Sequence, residues 1–337
     1  MICYHGGLNS SYGNMKAVTF KDYGDASVLE INEIEKPTIN EDEVLIKVAA
    51  AGINRPDILQ RSGFYPPPKG ASEILGLEVS GKVVEVGKNI NEDIIDSEVC
   101  ALLTGGGYAE YAKCHISTVL PVPKGISLVD ACTIPETFFT VWTNLFDQAK
   151  LKEKETLLIH GGASGIGLTA LSIANQFGVK CYATVGNDEK KEFIENQGLA
   201  SCINYNREDF EKRFKENNVR IDVILDIVGG EYFQKNINIL NKFGRLINIA
   251  YLNGSTVKAN LLPIMLKRLI VSGSTLRIRS NKEKEDIKNS LIEKVWPLIE
   301  SKAVKLYIDQ KYDYLNVKSA HEFMESNQNI GKLLLKF

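Results

Sequence analysis

Several signals are missing from this chain of 337 residues, and each absence removes a class of protein. The formal net charge is −2, from 40 basic and 42 acidic residues, so no surplus charge is available to hold a polyanion or an anionic membrane surface. Nucleic-acid binding is accordingly not expected. No apolar run approaches the ~20 residues that span a bilayer. Six cysteines (Cys3, Cys100, Cys114, Cys132, Cys181, Cys202) contain no C-x-x-C pair. Four of them sit in apolar, strand-like stretches, where buried reduced thiols are expected rather than a disulfide framework. This points to a reducing compartment, the cytoplasm. The four histidines form no H-E-x-x-H motif, and no nucleophile elbow is present; His160 reads as a structural histidine. Residues Met1 to Asn14 have neither the apolar core of a signal peptide nor the basic amphipathicity of a transit peptide. They are expected to form a loose extension, with the fold starting at Met15.

What is present describes a globular chain long enough for two cores, 44% hydrophobic and 24% charged. From Ala17 to about Val122 short alternating runs such as Val44–Val48, Gly81–Gly87 and Tyr108–Tyr111 are punctuated by Gly and Pro, predicting a compact barrel or sandwich. Residues Ser127–Asn144 read as a helix with Pro135 near its middle. Strand and helix then alternate: strands at Leu157–Ile159, Val179–Val185, Cys202–Asn204, Ile221–Val228, Arg245–Ala250 and Leu269–Leu276, with helices after the glycine turn and at Glu189–Gln197, Glu208–Lys215 and Tyr232–Asn241. Six strands joined by helical crossovers predict a doubly wound parallel sheet, with ligand at the carboxyl ends of its strands. Residues 280–301 read as one helix with an apolar stripe of Ile287, Leu291, Val295 and Leu298. A short helix at Ala320–Met324 and a strand at Gly331–Phe337 close the chain and are expected to rejoin the first domain.

The pivot is the stretch from Leu157 to Leu171. An apolar strand runs into a glycine turn (Gly162, Ser164, Gly165, Ile166, Gly167) and then into helical spacing. Strand, glycine turn and helix start suit a pyrophosphate, because the backbone can approach the anion and free N–H groups face it. Ser164 holds the place of the second glycine of G-x-G-x-x-G. At the end of the second strand, Gly186 stands where a carboxylate would repel a 2'-phosphate, and Lys190 offers positive charge. NADP is favoured over NAD on this reading. Asp188 and Glu189 weigh against it unless they serve only as helix-start acids. Lys190 reads equally as an ordinary helix lysine, and Tyr205 either as a stacking residue or as a surface tyrosine.

The blocks Asn54–Pro68, Ile74–Gly81, Gly105–Tyr111, the glycine turn and Asn329–Lys332 together resemble the zinc-free quinone oxidoreductases of the medium-chain dehydrogenase/reductase superfamily, the zeta-crystallin-like group. Pro66–Pro68, Ser164 and Leu276–Lys282 make the chain most similar to the tumour-suppressor-inducible quinone oxidoreductase subgroup. The resemblance implies an α/β protein: a GroES-like, β-rich catalytic domain (15–138 and 278–337) and a Rossmann six-stranded domain (139–277). It implies an NADPH-dependent quinone reductase with Asn54 and Tyr65 lining the substrate cleft. Thr140, Ala250, Tyr251, Leu276, Arg277 and Asn329 are then contacts to the nicotinamide half. A homodimer through the edge strand near Leu269–Leu276 is also implied. Where the zinc-dependent relatives carry a Cys and a His ligand, this chain has Asn54 and Leu77, which cannot replace them; zinc catalysis is not expected. The alternatives are a reductase of enone or enoyl double bonds and a nucleotide-binding, crystallin-like protein without catalysis.

Overall fold

The computed structural model describes residues 13–337. The expected loose extension lies outside the described residues except for Gly13 and Asn14, and Asn14 already pairs with Glu35. The chain opens with an antiparallel ribbon of β1 (Asn14–Thr19) and β2 (Glu30–Glu35). It continues through β3 (Glu43–Ile53), helix α1 (Arg55–Arg61), β4 (Glu78–Val86), β5 (Glu98–Leu102), β6 (Tyr111–His115) and β7 (Val119–Pro121). The long strand β3 pairs with β4 and β6 and is bulged at Leu45/Ile46 and Val48/Ala50. Such bulges curl a sheet toward a barrel. At this point a Cβ on Gly81 would lie 2.1 Å from the Lys47 carbonyl, so only glycine lets the two backbones meet.

The helix expected over Ser127–Asn144 is divided. A 3-10 turn at Asp130–Thr133 precedes α2 (Pro135–Val141), which passes into a widened π-type turn over Trp142–Gln148. Pro135 has no N–H to continue a preceding helix and is suited to start one, which places the boundary there.

The second sheet holds β8 (Thr156–His160), β9 (Lys180–Val185), β10 (Ser201–Asn204), β11 (Ile221–Asp226), β12 (Leu240–Asn248) and β13 (Ile270–Gly273). Its order is β10-β9-β8-β11-β12-β13, parallel throughout, as the alternation predicts. Helices α3 (Gly165–Gln176), α4 (Asp188–Asn196), α5 (Phe210–Glu216) and α6 (Tyr232–Ile239) provide crossovers. Leu157, Leu158 and Ile159 on β8 are buried because both faces of a parallel sheet are covered; each contributes roughly 2 kcal/mol. Two features depart from the sequence reading. Helix α7 (Leu262–Lys267) was not anticipated, and the sixth strand stops at Gly273, leaving Leu276 and Arg277 in the segment beyond it.

The run 280–301 divides into α8 (Asn281–Lys294) and α9 (Trp296–Glu300), with Pro297 near the start of the second helix. Ile287, Leu291 and Val295 of the expected stripe are buried, and Leu298 is partly so. Strand β14 (Ile308–Asp313), helix α10 (Val317–Glu325) and β15 (Lys332–Lys336) follow, and β15 pairs with β3. The tail therefore rejoins the first sheet, whose order is β14-β15-β3-β4-β5-β7. One apolar cluster runs from Cys100 and Leu120 of the first sheet through α2 to Leu157 and Ile159 of the second, fixing the two sheets against one another. Cys100, Cys114, Cys132, Cys181 and Cys202 are buried free thiols, and among the described residues no helix is long and apolar enough to cross a membrane.

Candidate active site

The glycine turn lies at the carboxyl end of β8, beside the point where strand order reverses between β8 and β11. Ser164 caps α3, its hydroxyl accepting from Gly167 N at 3.0 Å. Ser164 in the middle position thus has a structural use: it satisfies one of the helix's otherwise unbonded donors. A Cβ on Gly162 would lie 2.5 Å from Ala183 Cβ, and one on Gly167 would lie 2.4 Å from the Gly161 carbonyl. Both glycines are needed for close strand-helix packing. The Ile166 N–H, in the first turn, has no partner among the described residues, whereas the parallel bridge of Ser164 with Gly331 directs the Gly165 N–H at the Gly331 carbonyl. This is the positive end of a twelve-residue helix, which suits an anion. The Asn329–Lys332 segment closes on this turn: Gly331 N donates to the Ala163 carbonyl at 2.8 Å, and Asn329 Nδ2 donates to the Gly331 carbonyl at 2.9 Å.

At the end of β9, a side chain on Gly186 would begin 2.7 Å from the Tyr205 hydroxyl, so the half-exposed tyrosine covers this glycine. Asn187 caps α4 by accepting from Lys190 N. Asp188 accepts from Asn204 Nδ2 at 2.6 Å and pairs with Arg207 at 2.6 Å, which turns its charge toward β10. Lys190 is neither free nor an ordinary surface lysine: its ammonium donates to the Asn327 carbonyl. Arg55 reaches the same residue, Nη2 to Asn327 Oδ1 at 2.5 Å. Burial lowers the pKa of both, and the charge of Arg55 lowers that of Lys190 further.

Deeper in the cleft, Asn54 caps α1 and is 7% exposed. Its side chain is committed on both ends: Nδ2 donates to Glu78 Oε1 at 2.8 Å and Oδ1 accepts from Lys332 Nζ at 2.6 Å. Lys332 also pairs with Glu78, both buried, and Glu78 Oε2 accepts from Glu136 N at 2.8 Å. The stem of Lys332 passes over the glycine turn, since a Cβ on Gly165 would lie 2.6 Å from Lys332 Cδ. One side chain therefore ties the glycine turn to the cleft floor. This donor set does not fit a zinc ion. A cation, the Lys332 ammonium, already sits against Asn54 and Glu78, the position of the second ligand holds buried Leu77, and among the described residues no cluster of three His, Cys, Asp or Glu is arranged to hold a metal.

Behind α1, Asp57 accepts from Asn54 N at 2.8 Å and Gly76 N at 2.9 Å. Burial raises its pKa to about 6 against those hydrogen bonds. Tyr108 OH lies 3.4 Å from Asp57 Oδ2 and 3.1 Å from His321 Nε2, and Arg61 Nη1 lies 3.1 Å from His321 Nδ1. Arginine can only donate, which assigns the imidazole proton to Nε2. This chain clamps the start of α1 to α10.

Tyr65 follows α1 in a loop and is partly buried, with the Arg277 guanidinium 5.4 Å from its ring centre. Burial raises the Tyr65 pKa, so it remains a neutral donor. Arg277 is 6% exposed, held by Nε to the Thr104 carbonyl at 2.8 Å and Nη2 to Gln60 Oε1 at 2.9 Å, while its buried Nη1 has no partner. The structure thus brings together Asn54, Tyr65, Arg277 and the glycine turn with Asn329. Thr140 and Leu276 are buried, Ala250 follows β12, and Tyr251 is exposed with its ring against Gly229. His160 has both nitrogens occupied, by Thr184 Oγ1 at 2.9 Å and Asn236 Oδ1 at 2.8 Å, which suits a structural role. Sequence reasoning missed Asp57, Glu78, Glu136 and Lys332 as members of the site. Only the spacing of Asn54 and Asp57, a capping pair, carried a local signal.

Residues 40–124 match the family model of the alcohol dehydrogenase GroES-like domain, and residues 197–335 match the model described as zinc-binding dehydrogenase. Quinone oxidoreductase 1 of Escherichia coli is 29% identical over 326 residues, covering 94% of this chain and 98% of that protein. Highly-reducing polyketide synthase 1 of Aureobasidium melanogenum is 28% identical over 312 residues, 90% of this chain but 14% of that far longer protein. Among solved structures, Escherichia coli quinone oxidoreductase complexed with NADPH superposes with a TM-score of 0.83 at 27% identity, covering 96% of this chain and 100% of that one. With a barrel-forming first sheet, a six-stranded parallel second sheet and both family models in their places, the chain belongs to the medium-chain dehydrogenase/reductase superfamily.

Proposed function

We propose that the protein is an NADPH-dependent quinone reductase that works without zinc. The observation that carries this reading is the pairing of the helix N-terminus at the glycine turn with a cleft whose metal position is filled by Lys332, Glu78 and Asn54. Without a Lewis acid an alkoxide is poorly stabilised, whereas a quinone accepts hydride into a delocalised oxyanion. The N-terminus of α3, with the Ile166 N–H, faces the pyrophosphate, and Lys332 braces the turn from beneath. Gly186 puts no carboxylate where a 2'-phosphate would sit, the Tyr205 hydroxyl over it is a donor on that side, and Lys190 and Arg55 supply positive charge. Of the two acids that argued against a phosphate, Asp188 is occupied by Asn204 and Arg207, and Glu189 is exposed in the first turn of α4. Once bound, the nicotinamide supplies the hydride. The protein's own task is to orient the acceptor, with Tyr65 donating to its oxygen, and to exclude water.

The working unit is proposed to be a homodimer through β13. That strand is an unpaired sheet edge, Ile270 is 57% exposed, and Met265, Leu266 and Val271 extend the apolar surface beside it.

Stopped-flow oxidation of NADPH with ortho-quinones, para-quinones and enones tests the reading. Quinones should be reduced faster than enones. Faster enone turnover assigns the chain to the double-bond reductases instead. NADPH binding with no oxidation by any acceptor overturns both.

A further inference from the structure

Glu136 is an ionisable group of the cleft that the reading above leaves idle. It opens α2 directly after Pro135, and its backbone N–H is fixed on Glu78 Oε2. Its carboxyl has no hydrogen-bond partner among the described residues, and the residue keeps a partly exposed face. A carboxyl set deep in the protein yet still accessible is one that lines a cleft. The groups that face it come from every neighbouring element: Glu78 on β4, Asp57 on α1, Lys332 on β15, Lys284 on α8, and Tyr65 and Arg277 from the two loops. Lys284 is itself spent on the Arg277 carbonyl at 3.0 Å. Burial foremost, then the like charges of Glu78 and Asp57, raises Glu136 to about 8 against the pull of Lys332 and Lys284, so that it carries a proton at neutral pH.

Within electrostatic reach of it, on a guanidinium 5.4 Å from the Tyr65 ring centre, is the unpartnered Nη1 of Arg277, whose other nitrogens are anchored to Thr104 and Gln60. A buried donor left without an acceptor is costly to a folded protein and is rare. A bound oxygen would satisfy it. We propose that Arg277 Nη1 and the Tyr65 hydroxyl hold the acceptor's carbonyl oxygen, and that the Glu136 carboxyl delivers the proton that completes its reduction.

The step rests on the reductase reading and balances with a reduced nicotinamide dinucleotide as the electron source. Hydride transfer moves two electrons and one hydrogen to the quinone, leaving a hydroquinone monoanion on Arg277. The Glu136 O–H bond then breaks as the substrate O–H bond forms, and the carboxylate regains its proton from water. General-acid assistance of this kind is worth roughly 10²-fold or more.

Two measurements test the proposal. Infrared difference spectra of the cofactor-free protein, taken across a pH titration, should show a protonated carboxyl band lost with a midpoint near pH 8 and absent from Glu136→Gln. The absence of such a band in the wild type at pH 7 overturns the proposal, whatever the protein's activity. At saturating NADPH, wild-type turnover with a quinone should fall as pH rises through about 8, whereas Glu136→Gln should lose that limb and roughly 10²-fold in kcat. A variant that binds NADPH normally and keeps both the rate and the limb excludes Glu136 as the donor. If the wild type reduces no quinone, the reductase reading fails, and the infrared titration still decides whether the cleft holds a protonated carboxyl.

Discussion

Replacing Lys332 by Met is the perturbation whose cost the structure defines best. Methionine keeps the stem that lies over Gly165 and removes only the ammonium. Glu78 would be left fully buried with two neutral donors, Asn54 Nδ2 and Glu136 N, and no countercharge. Breaking one side of a buried ion pair costs roughly 3–5 kcal/mol, because the remaining charge is uncompensated. Glu78→Gln leaves Lys332 its contacts to Asn54 Oδ1 and the Ile53 carbonyl, so this single change should cost less. The double variant should recover most of the loss, giving a coupling of about 3 kcal/mol. Urea unfolding by circular dichroism, with midpoints and slopes for all four proteins, reads these values. Lys332→Met within about 1 kcal/mol of wild type, or singles that add without coupling, would refute the description of this pair.

The His321 chain predicts an acid-side instability. Burial first, and the Arg61 charge next, lower His321 from 6.5 to about 3. A base whose folded value is depressed contributes stability above its unfolded value and loses it as pH falls. The advantage of wild type over His321→Gln should thus shrink by about 1.4 kcal/mol per pH unit below 6.5; parallel stability curves would show that the imidazole is not held neutral. At the sheet edge, sedimentation should give wild type twice the chain mass and Ile270→Lys the monomer mass, and a monomeric wild type at micromolar concentration removes the β13 interface.

How far the sequence carried this account depended on how locally each feature is encoded. The six parallel strands were legible because each is an apolar run closed by its own turn, and the glycine turn because its backbone demands fall within six residues. Helix α7 was not, since its apolar side chains, Met265 and Leu266 among them, remain exposed in the single chain and give no packed stripe. The widened turn after α2 is set by packing of Trp142 on Phe146 and Phe177 rather than by any propensity. The cleft was the least legible part. Lys332 reaches Glu78 across 254 positions of sequence, and Arg277 reaches Gln60 across 217. Lys190 shows the same limit: its position on α4 could be read, but its bond to Asn327 depends on how the tail folds back.

The central claim is that the turn at Gly162–Gly167 holds a nicotinamide dinucleotide bearing a 2'-phosphate. Calorimetric titration of NADPH and NADH into wild type and Lys190→Glu tests it most directly. The account predicts that wild type binds NADPH more tightly than NADH, and that the substitution weakens NADPH much more than NADH. Equal affinity of the wild type for the two, or equal losses in the variant, would contradict it.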